Sequence, residues 1–284
     1  MQYNKNLFKN LFAQILILLL ALLVAANGWA QSAQQQLSSE SSIEKIKKDG
    51  TLRVGMSTFV PWAMRNKQGE LIGFEIDVAK KLAEDMGVAI EFVPTAWDGI
   101  IPALLAGKFD VIIGGMSITP NRNLTVNFTL PYAHSGQGIA ANKTLAASLS
   151  WPDDYNSPSV TFTCRRGATP CTLIQKQFPK ATIRQFDDDA QAMQEVLNGN
   201  AHAVVSSQPK PNFYIIENPD VLFAPTNENL SRGDEAFAVR KGDPDALNFF
   251  SNWILYNTSN GWLDERHDYW FTTRDWADQV DSNQ

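Results

Sequence analysis

Short apolar runs alternate with amphipathic segments from Leu52 onward. In order they read LRVGM, GFEIDVAKKLAEDMG, AIEFVPT, WDGIIPALLAGK and FDVIIGG. In the first amphipathic segment, Phe74, Val78, Leu82 and Met86 fall on one stripe, while the charged residues lie mostly off it. This spacing is typical of a helix with one buried face. The alternation predicts a doubly wound α/β unit with mainly parallel strands.

A second unit of the same kind occupies the middle of the chain. It reads VTFTC, a helix near Cys171, TIRQFD, DDAQAMQEVLNGN and AHAVVSS. LAGKFDVIIGG (105–115) aligns without gaps on LNGNAHAVVSS (197–207); in each, a helix ends at a glycine and an apolar strand finishes in small residues. We therefore expect two α/β lobes. Because ligands of open α/β sheets bind at the carboxyl ends of strands, residues 114–115 and 206–207 mark the expected site.

The last third of the chain is rich in aromatic residues. EAFAVRKG (235–242) reads as a strand, and PDALNFFSNWILYNTSNG and WLDERHDYWF read as helices long enough to return to the first lobe. Trp253, Trp262 and Trp270 are predicted to pack between helices rather than to contact a ligand.

The N-terminus has the pattern of a secretory signal peptide at residues 1–30. Lys5 and Lys9 precede an apolar run at 15–26, and a small-x-small cleavage site ends at Ala30. A transmembrane anchor is the alternative, but the run is shorter than the roughly 20 residues that span a bilayer. The polar stretch that follows predicts a flexible leader over 31–49.

Export sets the expected charge and compartment. Lys5 and Lys9 are the only charges of the signal peptide, so 24 basic residues fall to 22 against 30 acidic ones, a net charge of −8. Such an acidic surface argues against nucleic acid or an anionic membrane as partner. We expect a protein of the bacterial periplasm.

Two turns have the pattern of anion sites. In GGMSITPNR (114–122), Thr119 is a predicted N-cap with Pro120 at the first helical position. Arg122 adds a planar fork that suits a carboxylate, and Ser117 adds a hydroxyl. In TCRRGATPCT (163–172), Thr169 is the predicted cap of a helix that begins at Pro170.

The same stretch holds both cysteines of the chain, Cys164 and Cys171. A metal knuckle, a redox pair, a nucleophile and a stapled turn all fit two cysteines seven positions apart. Because two cysteines in an oxidising compartment most often pair, a disulfide is the favoured interpretation. Arg165 and Arg166 are expected to face solvent, with contact to a second acidic group of the ligand as the alternative.

These motifs resemble one family in their order along residues 50–272. LRVGMSTFVPWAMRNKQGELIGFEIDVAKKLAEDMG, IIPALLAGKFDVIIGGMSITPNR, NFTLPY, the GAT turn and AVRKGDP are similar to the periplasmic solute-binding proteins of polar amino acid ABC importers, family 3. The resemblance implies a type II periplasmic-binding-protein fold, with two doubly wound lobes joined by two hinge strands near 137–142 and 235–240. Lobe 1 would be 50–138 plus 236–284, and lobe 2 would be 139–235.

The resemblance also implies the ligand contacts. Arg122 and Ser117 would anchor a ligand carboxylate, Gly115 would offer backbone groups, and Thr169 would bind from the other lobe. Phe59 would pack on the ligand side chain, Trp97 would line the adjacent wall, and Trp62 would support the pocket from behind.

Two positions depart from the family pattern. Ser207 occupies the place where an acid usually holds the α-amino group, and Ser57 or Met56 stands where a second acid is often found. A serine is a weaker, neutral partner for an ammonium. The ligand would therefore lack an α-amino group or have it held elsewhere. The aromatic wall would suit a flat acid or a methylated ammonium.

An enzyme of the same fold is the main alternative. NWILYNTSNGWLDERHDYW and PTAW resemble cyclohexadienyl dehydratases, which remove water from prephenate or arogenate. Those enzymes have a glutamate general acid at the position of Cys171, and a disulfide-bonded cysteine cannot donate the proton that elimination needs. His134, His202 and His267 lack metal-like spacing, and we expect Asp234 and Glu235 to be solvated.

The sequence thus predicts an exported, monomeric binding protein without a cofactor. It would capture a small carboxylate-bearing compound, amino acid or amino-acid-like, between two lobes for the permease of an ABC importer. A ligand-sensing accessory domain is a further alternative.

Overall fold

The computed structural model describes residues 41–280, and the predicted signal peptide lies outside them. The strands are β1 (Thr51–Met56), β2 (Met64–Arg65), β3 (Leu71–Ile72), β4 (Ala89–Pro94), β5 (Val111–Ile112), β6 (Asn127–Asn142), β7 (Thr161–Arg165), β8 (Thr182–Phe186), β9 (Ala203–Ser207), β10 (Leu222–Phe223) and β11 (Ser231–Val239). The α-helices are α1 (Ser42–Asp49), α2 (Phe74–Met86), α3 (Ile100–Leu105), α4 (Pro120–Asn123), α5 (Lys143–Ala146), α6 (Thr169–Gln177), α7 (Asp189–Leu197), α8 (Lys210–Glu217), α9 (Pro244–Ser259) and α10 (Trp262–His267).

Two α/β halves share one mixed sheet. Its strand order is β4-β1-β5-β11-β6-β9-β7-β8, with β10 paired to β6. In the first half β1 is parallel to β4 and β5, and in the second β7 is parallel to β8 and β9. Helices connect these strands and pack on the sheet. Each of these helices, such as α2, has an apolar stripe that is buried against a face of the sheet. The two predicted parallel units are confirmed.

The antiparallel pair β6 and β11 connects the halves. The first part of β6 pairs with β11, and its second part, from Gln137 to Ala141, pairs with β9. The chain therefore crosses between halves twice, and the predicted boundaries at 138/139 and 235/236 fall within these two strands. Those boundaries stay a prediction.

Aromatic residues of the C-terminal helices pack on the first half. Trp253 and Trp270 are buried, and their indole N–H groups donate to Asp85 and Asp77 of α2 at 2.8 and 2.7 Å. Trp262 is partly buried against the same core. Because all three rings pack against this core and the two buried indoles also satisfy their polar atoms, the predicted packing role of these residues is confirmed.

The leader was predicted to extend to residue 49, but its last eight residues form α1. Ile46 is 1% exposed, and Gly50 ends the helix in the left-handed conformation. The Ser42 N–H donates to Asp243, whose other oxygen caps α9. The apolar contact and the shared cap hold α1 against the first half. Within residues 41–280 no helix is both long enough and apolar enough to cross a membrane.

Candidate functional site

A small cavity of about 20 Å³ lies where the carboxyl ends of β5 and β9 meet. This volume is about that of one water molecule. All seven predicted ligand-binding residues line it, together with four others. The lining residues are Phe59, Trp62, Trp97, Gly114, Gly115, Ser117, Arg122, Arg165, Ala168, Thr169 and Ser207. Trp62, which was expected to stand behind the pocket, is part of its wall.

Arg122 joins the two halves at this cavity. Its Nη1 donates to the Ser117 carbonyl at 2.9 Å, and its Nη2 donates across the cleft to the Gly167 carbonyl at 3.2 Å. Its Cζ lies 5.6 Å from the centroid of the Trp97 ring. Burial lowers the pKa of Arg122 to about 10, so the guanidinium stays charged at neutral pH. A fixed cation at the lobe interface suits an anionic ligand.

The predicted helix caps differ in outcome. Thr119 is the N-cap of α4, with its hydroxyl accepting from the Arg122 N–H at 3.2 Å, as predicted. In the second half the cap is Ala168, and Thr169 is the first residue of α6. The Thr169 hydroxyl therefore does not cap the helix but accepts from Gln137 Nε2 at 2.7 Å. Its proton remains available to a ligand oxygen.

Gly115 and Gly167 both have a positive φ, 65° and 72°. A β-carbon at Gly115 would lie 3.1 Å from the Trp62 ring, and one at Gly167 would lie 3.3 Å from Asp98. Only glycine, which has no β-carbon, adopts this conformation without strain where a neighbouring residue lies so close to the backbone. The Gly115 N–H donates to Tyr132 Oη at 3.1 Å. The predicted contact between backbone groups of Gly115 and a ligand stays a prediction.

Arg165, for which solvent exposure was the first expectation and a ligand contact the alternative, is buried. It is 7% exposed, and its Cζ lies 4.8 and 4.5 Å from the ring centroids of Phe59 and Trp97. It is the last residue of β7, so its side chain enters the cavity from the second half. Arg166 is exposed, as expected, and pairs with Asp187 at 3.1 Å.

The Arg165 guanidinium is not satisfied by its surroundings. Its Nε and Nη1 atoms are buried without a hydrogen-bond partner among residues 41–280. Burial lowers its pKa to about 10, an effect that the charge of Asp189 opposes. Asp189 itself accepts from Ser206 at 2.6 Å and forms an ion pair with Lys210 at 3.5 Å. The cavity therefore holds a cation with two free donors.

Two buried carboxyl groups lie behind the cavity wall. Glu75 accepts from Tyr132 Oη at 2.5 Å, and Glu235 accepts from Ser135 Oγ at 2.6 Å. Burial raises the pKa of each to about 8. Glu235 was expected to be solvated but is 2% exposed, because β11 turns it inward; Asp234 is exposed and contacts His134.

Cys164 and Cys171 form a disulfide, with their Cα atoms 5.5 Å apart. It joins the end of β7 to the first turn of α6, around the Gly167 turn. The favoured interpretation of the cysteine pair is confirmed.

A wider cleft of about 550 Å³ reaches the cavity from outside and shares Ser117, Arg122, Ala168 and Thr169 with it. Among the described residues that line this cleft, the charged ones are Arg122, Lys176 and Arg232. The charged side chains that a ligand meets on the described walls of this route are all positive.

The sequence matches the family model of bacterial extracellular solute-binding proteins, family 3, over residues 52–273. The chain belongs to this family.

Individual members and structures agree with that assignment. The L-cystine-binding protein TcyJ of Escherichia coli K12 is 28% identical over 82% of this chain and 86% of its own length. The cyclohexadienyl dehydratase of Pseudomonas aeruginosa is 24% identical over 83% and 88%. A crystal structure of an ancestral amino acid-binding protein, described as a precursor of cyclohexadienyl dehydratase, is 40% identical, with a TM-score of 0.74 over 81% of this chain and 99% of that one.

A binding component of an ABC transporter from Wolinella succinogenes, complexed with lysine, has a TM-score of 0.75 and 35% identity over 80% of this chain and 98% of its own. The predicted two-lobe, type II fold is therefore confirmed for this family 3 protein.

Three site features of this family 3 protein have weak sequence signals. Gln137 falls in a run, SGQGIAAN, with no motif of its own, and Lys210 follows a proline in an apparent loop. Arg165 had the clearest sequence signal of the three. It is a charged residue at the carboxyl end of an apolar strand, where ligands of such sheets bind, and it stands next to a disulfide cysteine.

Proposed function

We propose that this protein closes its two lobes around a small carboxylate-bearing compound and delivers it to the permease of an ABC importer. The observation that supports this most is that both halves line the small cavity. Gly115, Ser117 and Arg122 come from one half, and Thr169 and Ser207 come from the other. A ligand held by both sets stabilises the closed form, which is a population shift.

Arg122 and Thr169 are the proposed carboxylate anchors. The guanidinium offers a planar pair of donors, and α6 adds the N-terminal end of a nine-residue helix. Phe59 and Trp97 would form the wall of the pocket, and Ser207 its polar end. The names of the relatives, a cystine-binding protein and a lysine complex, support an amino acid or a similar acid as the ligand class.

Export and assembly follow from the same proposal. Residues 1–30 would be removed as a signal peptide, and the mature chain would work as a monomer in the periplasm. The membership in an extracellular family supports this location.

Calorimetry on Arg122→Ala tests the proposed anchor. Once a thermal-shift screen over amino acids and organic acids has found a ligand, we expect Arg122→Ala to weaken it by at least about 100-fold, since a charge-assisted pair is lost. Arg166→Ala removes an exposed arginine of the same chain and should bind normally. Comparable binding by Arg122→Ala would show that the anchor is wrong.

A dehydratase is the second candidate, favoured by the Pseudomonas relative and by the ancestral precursor. Against it, Cys171 is bonded to Cys164 and cannot act as the general acid. Incubation of the purified protein with prephenate tests this directly, because sustained formation of the dehydrated product would exclude a binding-only role.

A further inference from the structure

The proposed ligand pocket contains two cations, and no counter-ion for them lies among its lining residues within 41–280. Arg122 and Arg165 both line the cavity, and none of the described lining residues is acidic. Their Cζ atoms lie 5.6 and 4.5 Å from the same Trp97 ring, so the two guanidinium groups face one small volume. The nearby carboxylate of Asp189 is already bonded to Ser206, Tyr214 and Lys210.

Arg165 has unused hydrogen-bonding capacity that points to a ligand. A buried donor without a partner destabilises the folded state, and more so when it is charged. Two such donors on one guanidinium remain only if something compensates the cost. Within the described chain no acid does so for Nε and Nη1. Nε and Nη1 lie on different edges of the planar group, so a ligand carboxylate in the cavity would satisfy one of them and a second acceptor would satisfy the other.

The same arrangement excludes a cationic ligand group. The rings of Phe59 and Trp97, which would otherwise attract an ammonium, are already covered by Arg165. Ser207 offers an ammonium only a neutral oxygen at the end of β9. The cleft outside adds Lys176 and Arg232, so its field attracts anions and repels cations.

We propose that the ligand is a small dicarboxylate without an ammonium group, with one carboxylate on Arg122 and the other on Arg165. This assignment rests on the proposed binding function and names its ligand class. Since the cavity of about 20 Å³ is too small for such a compound, the lobes separate to admit it and stay further apart than in this structure while it is bound. Closure onto the ligand then brings the two arginines, one from each half, to opposite ends of the same molecule.

Ligands that share one carbon skeleton test whether the ligand is a dicarboxylate without an ammonium group. Glutarate, 2-oxoglutarate and glutamate differ only at one carbon, and monomethyl glutarate lacks one charge. By calorimetry we expect glutarate or 2-oxoglutarate to bind at least about tenfold tighter than glutamate, lysine or arginine. Tighter binding of any of these amino acids would overturn the proposal, as would a failure of every dicarboxylate, succinate and malate included, to bind.

Arg165→Gln tests the residue. We expect it to weaken dicarboxylate binding by roughly 10- to 100-fold, since charged hydrogen bonds are lost, and to leave monomethyl glutarate nearly unaffected. Its ligand-free melting temperature should not fall, because an unsatisfied buried cation is removed. Arg165→Lys, which keeps the charge without the fork, should bind with intermediate affinity, and Arg166→Gln is the matched control.

A purely structural Arg165 gives a different result. In that case Arg165→Gln would lower the melting temperature and weaken mono- and dicarboxylates equally, which would refute the ligand contact. The two proposals fail separately. If the protein binds an amino acid, and this binding is lost in Arg122→Ala but unchanged in Arg165→Gln, only the proposal of a dicarboxylate ligand is wrong. If it binds a dicarboxylate with the same affinity in Arg122→Ala, the proposed anchor is wrong.

Discussion

The cavity wall depends on single residues in tightly fixed conformations. At Gly115 the backbone turns with φ 65° directly against the Trp62 ring, and its N–H reaches Tyr132. Tyr132 in turn donates to Glu75. One glycine therefore connects the ligand wall to a buried carboxyl group.

Gly115→Ala should lower the free energy of unfolding by more than the backbone strain of a left-handed alanine would by itself. A left-handed alanine costs about 1–2 kcal/mol, and at this position its β-carbon also meets Trp62 at 3.1 Å. Gly107→Ala is the matched control, because Gly107 has φ 71° and open space around it. Urea unfolding should show the larger loss for Gly115→Ala. Equal losses would mean that Trp62 moves aside freely.

At the scale of elements, the disulfide connects the end of β7 to the start of α6 and so fixes the turn that presents Arg165 and Thr169. The bridge closes a loop of only a few residues. A ligand bound by two such groups gains when they are held in place beforehand.

Cys164→Ala/Cys171→Ala is expected to lose about 2–3 kcal/mol of stability, from the chain entropy of a short closed loop. Ligand affinity should also fall, because the turn becomes mobile. Denaturant unfolding and calorimetry at one temperature measure both effects. An unchanged affinity beside a lowered stability would show that the bridge serves the fold and not the site.

The parallel units could be predicted from the sequence, but some connecting elements could not. β1, α2, β7 and β9 follow from apolar periodicity, and the site followed from the ends of their strands. The 16-residue strand β6 contains Pro131, Gly136 and Gly138, which are rare inside strands. The register shifts beside Ala236, which pairs with Pro131, accommodate the proline. Helix α8 begins among two prolines. Contacts with residues distant in the sequence stabilise these elements, and such contacts cannot be predicted from the local sequence.

At the scale of the whole molecule, Glu75 and Glu235 couple stability to pH. Glu75 lies in α2, and Glu235 lies in the strand β11 that connects the halves. Both carboxyl groups have a pKa of about 8 in the folded state, well above the value of 4.5 for an unperturbed glutamate. The folded protein therefore retains protons that the unfolded chain releases.

Stability should fall as pH rises from about 4.5 to about 8. Between these values the folded state binds more protons than the unfolded state, so raising the pH favours unfolding. Urea midpoints at pH 5.5, 7 and 8.5 should decrease in that order. Glu75→Gln and Glu235→Gln should each flatten the profile, since an amide stays neutral at every pH. Glu84→Gln, an exposed substitution in α2, should leave the profile unchanged. A wild-type profile that rises towards pH 8.5 would contradict the buried, protonated state of these two groups.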